Sequence, residues 1–314
     1  MKTMTNTPNE MPDNETDRSL VTFALFAYNQ EKYIREAVKG AFSQTYEPLE
    51  IILSDDCSSD RTFEIMQEMA SAYDGPHRVT CLKHKENLGL ANHINKIAEV
   101  AKGEITVMAA GDDRSLPQRT AEHLAVYQLW PDTKAVYSNY SLAHHETPDI
   151  PTGEANSNIR INTLRNLISG GGLGAGATYS YNKNCFTWPG KIPSTIKHED
   201  RILPFRAAIM GEIRRINSDL VIYGLDNMHG DRTIRTGPGA IEKSKYWDHH
   251  RKIIDVGNAN GKINTVKART LIFLTFYLEN CAIFRQSLKR KHPVTARIFW
   301  SILIGPLRII ARAY

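Results

Sequence analysis

Cysteine is scarce in this sequence, and the four that occur, Cys57, Cys81, Cys185 and Cys281, never form a CxxC pair. That scatter argues against a disulfide framework and a zinc site, and it fits a reducing compartment. No run of about twenty apolar residues is present either, so no membrane-spanning helix is expected. The stretch MKTMTNTPNEMPDNETDR at 1–18 lacks the apolar segment of a secretory signal, and its polar composition predicts a disordered tail. Acidic residues vanish after Glu279. Residues 241–314 hold 14 Lys and Arg against 4 Asp and Glu, so the remainder must be acidic to leave a net charge of +5. Such asymmetry points to an anionic partner, lipid headgroups or nucleic acid. No nucleic-acid-binding module accompanies the charge, and nucleic acid is not expected.

What the sequence does have is alternation. The run LVTFALFA at 20–27 reads as a strand and EKYIREAVKGAFSQ after it as an amphipathic helix. The pair repeats with LEIILS at 49–54 and RTFEIMQEMASAY, then with Val79 to Lys83 and a helix from about Leu90 to Lys102. EITVMAA follows and ends in GDD. Strands alternating with helices of this length predict an α/β fold, a parallel sheet with helices on both faces. Ligands of such sheets bind beyond the carboxyl ends of the strands.

Asp55 and Asp56 directly follow one predicted strand, and Asp112 and Asp113 directly follow another, so both acidic pairs should face one crevice. A carboxylate such as Asp56 can accept a hydrogen bond from a nucleotide. Equally, Asp55, Asp56 and Asp60 could form the turn and cap the next helix. Asp112 and Asp113 suit Mg²⁺ or Mn²⁺, hard cations that take oxygen ligands. The alternative there is a plain turn, with Ser115 capping a helix that begins near Pro117.

The segments AYNQEKYIREAVKGAFSQTYEPLEIILSDDCSSDRT and NLGLANHINKIAEVAKGEITVMAAGDDRSLP together resemble glycosyltransferase family 2. The resemblance implies a GT-A type, Rossmann-like and mostly parallel sheet. It implies an inverting, nucleotide-sugar-dependent transferase. Carried over position by position, the nucleotide would meet Ala27, Tyr28, Asn29, Asp55, Asp56 and Asp112. A divalent metal, Mn²⁺ or Mg²⁺, would be held by Asp112 and Asp113. The family's metal motif often reads Asp-x-Asp, and Ala110 stands here at the first of those positions. KHEDRILPFRAAIMG resembles the family's Glu-Asp motif, which assigns Asp200 as the base and lets Glu199 orient the acceptor. An N-cap for the helix containing Pro204 is the competing role of Asp200. GGGLGAG at 170–176 falls where relatives have an acceptor-side loop, and His229 in YGLDNMHGDRTIR sits near the family's diphosphate position.

These readings divide the chain into a tail at 1–18, a catalytic domain at 19–232 and a basic helical extension at 233–314. The expected reaction moves a sugar, from a UDP-sugar, to a hydroxyl of a glycan or glycolipid in bacterial surface polysaccharide synthesis. A sugar-phosphate nucleotidyltransferase would normally carry a glycine-rich, arginine-containing loop where this chain has AYNQEKY. A non-catalytic glycan-binding protein retaining the fold is the other alternative. Arg297, Ser301, Arg308 and Arg312 share one helical face beside Phe299 and Trp300, the pattern of a helix lying on an anionic membrane. That pattern predicts a cytoplasmic, peripheral location, and packing of the same helix on protein is the alternative.

Overall fold

The computed structural model describes residues 18–143, 160–162, 167, 174–224, 240–265, 267–272 and 275. The expected tail, the boundary at 232/233 and the basic helix near Arg297–Arg312 lie outside them.

In chain order the elements are β1 (Val21–Ala27), α1 (Ile34–Phe42), β2 (Leu49–Asp55), α2 (Thr62–Ser71), β3 (Arg78–Lys83), α3 (Leu90–Val100) and β4 (Ile105–Ala110). There follow β5 (Arg114–Ser115), α4 (Arg119–Leu129), β6 (Thr133–Leu142), β7 (Arg160–Asn162), β8 (Tyr179–Asn182) and α5 (Asn184–Thr187). α6 (Leu203–Met210), β9 (Glu212–Tyr223) and α7 (Ala240–Ala259) complete the series. Short 3₁₀ turns occupy Gly176–Thr178 and Glu199–Arg201.

All seven residues of β1 and of β2 are buried, which is why these strands are mainly apolar and show no solvent-facing alternation. Phe23 and Leu25 pack with Ile34 and Val38 of α1 and Met66 of α2, while Ala24 and Phe26 pack with Ile94 and Ile97 of α3. The sheet is therefore covered on both faces, as expected. β3 is the edge strand, with exposed and half-buried residues in alternation.

The strand order is β3-β2-β1-β4-β8-β6-β9-β5, with β7 also paired to β9. β1 to β4 are parallel, in a register that aligns Ala27 with Asp55 and Phe26 with Ala110. The carboxyl ends of three strands thus form one edge. Beyond β4 the sheet becomes mixed: β8 is antiparallel to both β4 and β6, and β6 runs parallel to β9. Because β8 runs backwards, with Val107 opposite Ser180, the residues just before it arrive at the carboxyl end of β4. The 174–178 segment is delivered to the crevice in this way.

The helical segment after β9 is packed on the α/β domain over its described part. Ile253 and Ile254 of α7, with Ile263 and Leu271, bury against Phe205 and Ile209 of α6. His250 stacks on Phe205 at 3.9 Å, and its Nε2–H donates to the Arg201 carbonyl at 2.9 Å. Ile254→Ala is expected to cost about 2–5 kcal/mol, the usual penalty for emptying a fully buried aliphatic site. Urea unfolding measures it, and an unchanged midpoint would mean that α7 contributes nothing to the cooperative unit.

Candidate donor site at the carboxyl edge of the sheet

The turns after β1 and β2 are locked to each other. Asn29 adopts a left-handed backbone with φ 52°, a conformation Asn tolerates better than most residues. Its N–H donates to Ser58 Oγ at 2.8 Å and its Oδ1 accepts the Ser59 N–H at 2.9 Å. Asp60 Oδ1 accepts the Thr62 N–H at 3.0 Å, and Thr62 Oγ1 accepts the Gln30 N–H at 2.7 Å.

Asp55 and Asp56 divide the roles expected of the pair. Asp55 is fully buried, its Oδ2 accepting the Ser58 N–H at 2.9 Å and its Oδ1 the Ser58 hydroxyl. Two of its acceptor sites thus serve the turn, the role the competing reading gave it. Asp56 lines the cavity. Its Oδ1 accepts the Leu88 N–H at 2.8 Å and its Oδ2 the Gly89 N–H at 3.0 Å. A carboxylate has about four lone-pair sites, so acceptor capacity remains. Gly89 leads into α3 with φ 72°, where a side chain would be strained.

At the end of β4, a Cβ on Gly111 would stand 2.4 Å from Gln30 Oε1, so the GDD turn closes directly on the β1–α1 loop. Asp112 is half-buried at this turn, whereas Asp113 is buried and its Oδ1 accepts the Gly224 N–H at 2.7 Å. Behind it lies Arg119, fully buried. Its Nη1 donates to Ser115 Oγ at 2.8 Å, and its Nη2 to the carbonyls of Met108 at 2.8 Å and Tyr179 at 3.2 Å. Burial lowers this guanidinium to about 9, opposed by the charge of Asp113, and it stays protonated at neutral pH. Ser115 does not cap α4, as the turn reading had it; it lies in β5, and α4 begins at Arg119 after an N-cap at Gln118.

The donor set for a metal is small. Among the described residues no cluster of three or more His, Cys, Asp or Glu side chains could hold an ion. Asp113 is buried with one oxygen on the Gly224 N–H, and Asp112 is the more exposed carboxylate of the pair. One hard oxygen ligand fits a cation whose other ligands come from a diphosphate and water.

Glu199 and Asp200 sit on the 3₁₀ turn that precedes α6, so Asp200 is not that helix's N-cap, which is Ile202. Glu199 lines the cavity and is pushed up to about 7, first by burial and then by the charge of Asp200. A Cβ on Gly176 would stand 1.8 Å from Glu199 Oε1. Any larger residue at 176 would require the Glu199 side chain to move.

These walls enclose a cavity of about 420 Å³, within the range of small-molecule sites. Ala27, Tyr28 and Asp56 line one side, Gly89, Leu90 and His93 another, and Gly176, Ala177 and Glu199 a third. Asn29, Asp55, Asp112, Asp113 and Asp200 are not among its lining residues, and His229 lies outside the described residues. Several lining residues escaped the sequence reading, among them Phe26, Met108 and His93. His93 Nε2 is 2.6 Å from Ser54 Oγ, and its ring meets Phe26 and His84 edge to face. Burial drives this imidazole down to about 4, so it is neutral at pH 7. A histidine inside an amphipathic helix gives no signal that separates it from core.

Glu199 makes a pH-dependent contribution with a definite sign. Between about 4.5 and about 7 the native chain holds a proton that the unfolded chain has lost, so this group lowers stability as pH rises through that window. Glu199→Gln is expected to gain stability relative to the parent from pH 5 to pH 8. Parallel pH profiles for the two chains in thermal unfolding would refute the shift.

The model for "Glycosyl transferase family 2" matches residues 22–177. An uncharacterized protein of Mycobacterium tuberculosis is 26% identical over 210 residues, covering 65% of this chain and 58% of that protein. The UDP-Glc:alpha-D-GlcNAc-diphosphoundecaprenol beta-1,3-glucosyltransferase WfaP of Escherichia coli is 29% identical over 143 residues, 46% of this chain and 53% of its own. The chain thus spans little more than half the length of these curated relatives. In three dimensions it is similar to Staphylococcus aureus TarS 1–349 in complex with UDP-GlcNAc, with a TM-score of 0.62 at 16% identity, over 93% of this chain and 81% of that one. It is also similar to the mannosyltransferase PcManGT of Pyrobaculum calidifontis in complex with GDP-Man and Mn²⁺, with a TM-score of 0.52 at 16% identity, over 95% and 87%. At that identity the likeness speaks for the GT-A fold alone. With the motifs, the domain match and the fold in agreement, the chain belongs to glycosyltransferase family 2.

Proposed function

We propose that this chain transfers a sugar, with inversion, from a nucleoside diphosphate sugar to a hydroxyl of a glycan or lipid-linked glycan. The observation that carries the reading is one cavity with Asp56 on one wall and the Glu199–Asp200 turn on another, both at the carboxyl edge of the sheet. In this reading Asp56 and Tyr28 would take the nucleoside, leaving the Glu199 side for the sugar. A UDP-sugar is the favoured donor, in keeping with the substrate in WfaP's name and the ligand in the TarS complex. The lipid-diphosphate-linked acceptor in WfaP's name supports a role in bacterial surface polysaccharide assembly.

In this reading Asp200 removes the acceptor's hydroxyl proton as that oxygen attacks the anomeric carbon. The bond from carbon to the diphosphate oxygen breaks, its electron pair leaves with the diphosphate, and the proton remains on the carboxylate. Asp112 would hold a divalent cation, which when bound offsets charge on the diphosphate. Asp113 and Arg119 keep that turn in place.

Isothermal calorimetry with UDP tests the donor half. Affinity is expected to fall sharply on adding EDTA in the parent chain, and to lose its Mn²⁺ dependence in Asp112→Ala. Equal affinity with and without metal would count against Asp112. Asp200→Asn is expected to bind UDP normally yet turn over about 10²- to 10⁴-fold more slowly, which is about 3–5 kcal/mol of barrier. Near-normal turnover would remove Asp200 from the role of base.

The basic C-terminal segment, with Trp300 and Phe299, is proposed as a peripheral membrane anchor on the cytoplasmic face. Among the described residues no helix is long and apolar enough to cross a membrane. Each Lys or Arg engaged at an anionic leaflet contributes about 1 kcal/mol, screened by salt. The full chain is expected to sediment with phosphatidylglycerol vesicles at low salt and not with neutral vesicles, and a chain ending at Glu279 with neither. Equal sedimentation of both chains would sink the anchor.

A further inference from the structure

A second cavity, of about 300 Å³, lies along β6 and β9, lined by Tyr137, Asn139, Tyr140, Arg215, Asp219 and Gly174. It shares a wall with the first. Gly174 belongs to this cavity and Gly176 and Ala177 to the donor cavity, and three residues of chain reach at most about 10 Å. The partition lies on an aromatic stack. A Cβ on Gly174 would stand 2.7 Å from Tyr137 Cδ2, the Gly174 N–H donates to Tyr179 Oη at 3.1 Å, and the two tyrosine rings are 4.9 Å apart. The Tyr179 phenol lies within range of the Asp200 charge. Asp200, proposed as the base, follows Glu199 of the donor-cavity wall on the same 3₁₀ turn.

The polar groups are built into the fold. The β6–β9 pairing slips between Ser138 and Asn139 and again between Asn139 and Tyr140, irregularities that re-aim side chains. Arg215 Nε donates to Asn139 Oδ1 at 2.9 Å, its Nη2 donates to the same oxygen, and Asn139 Nδ2 donates to the Asn217 carbonyl. This fork fixes the guanidinium plane and leaves further N–H donors for a ligand, while Asp219 supplies acceptors. Tyr140, 41% exposed and 4.7 Å from the Tyr223 ring, adds an aromatic face.

An isolated phosphate would meet the Asp219 carboxylate beside Arg215. A sugar ring with neighbouring hydroxyls uses all of these groups at once, its C–H face on the tyrosines and its hydroxyls between donor and acceptor. We propose that this second cavity is the acceptor subsite and that it binds the terminal pyranose of the acceptor glycan. The proposal rests on the glycosyl-transfer reading of the first cavity.

Saturation-transfer NMR on the full chain tests it, with the methyl α-glycosides of glucose, galactose, rhamnose and N-acetylglucosamine as probes. At least one glycoside is expected to bind, to remain bound when UDP and Mn²⁺ are added, and to weaken at least tenfold in Arg215→Gln and in Tyr140→Ala. UDP affinity should be unchanged in both variants. Tyr140→Ala alters an exposed side chain, so it decides the question even if Arg215→Gln loosens the β6–β9 pairing. Binding of no glycoside, displacement of the glycoside by UDP, or undiminished binding to Tyr140→Ala overturns the subsite. Failure of UDP to bind while the glycoside binds and responds to Tyr140→Ala overturns instead the donor reading, leaving a saccharide site without transfer.

Discussion

The junction between the two halves of the sheet depends on a buried cation. Arg119 bridges the Met108 carbonyl of β4, the Tyr179 carbonyl of β8 and the Ser115 hydroxyl of β5, three strands that no single ladder unites. A charge fully removed from water persists only where hydrogen bonds and an opposing charge replace hydration. Asp113 supplies that charge, and through the Gly224 N–H it also secures the end of β9. The turn carrying Asp112 and the strand delivering 174–178 are thereby held by one side chain. Truncating it would strand two carbonyls and a carboxylate together.

From that junction follows the partition of the crevice. The antiparallel course of β8 brings Gly174–Thr178 to the carboxyl end of β4, where Gly176 accommodates Glu199 and Gly174 lies against Tyr137. Glycines in this stretch serve close approach, since bulk at either position meets a neighbour at less than van der Waals distance. The tyrosines at 137, 179 and 181 form the backing, and burial raises the phenols of Tyr179 and Tyr181 above their ordinary range.

The first half of the chain was legible because β1, β2 and β4 are buried and its helices are amphipathic; the expected strand at 49–54 and the observed Leu49–Asp55 differ by one residue. The second half was not. β8 has four residues and β5 two, too few for any period, and the slipped pairing of β6 with β9 breaks the alternation that would mark them. At the site, the motif located the acidic pairs and the Glu-Asp turn but could not apportion work within a pair. Whether Asp55 or Asp56 meets the cavity depends on which one the Ser58 turn consumes. The lining by Phe26, Met108 and His93 comes from packing of α3 across the sheet, which no local pattern encodes.

Asp56 holds the backbone N–H groups of Leu88 and Gly89 at the entrance to α3, and it also lines the cavity. A ligand that hydrogen-bonds this carboxylate therefore draws on the same charge that anchors the helix start. Occupancy and helix position are then thermodynamically reciprocal: whatever tightens one must tighten or loosen the other by the same free energy. With φ 72° at Gly89, the chain turns at that point, where the N–H is shared between Asp56 Oδ2 and Asn87 Oδ1, each at 3.0 Å. Substitutions at Leu88 or Gly89, which lie far along the sequence from β1, would thus register as changes in affinity at Tyr28.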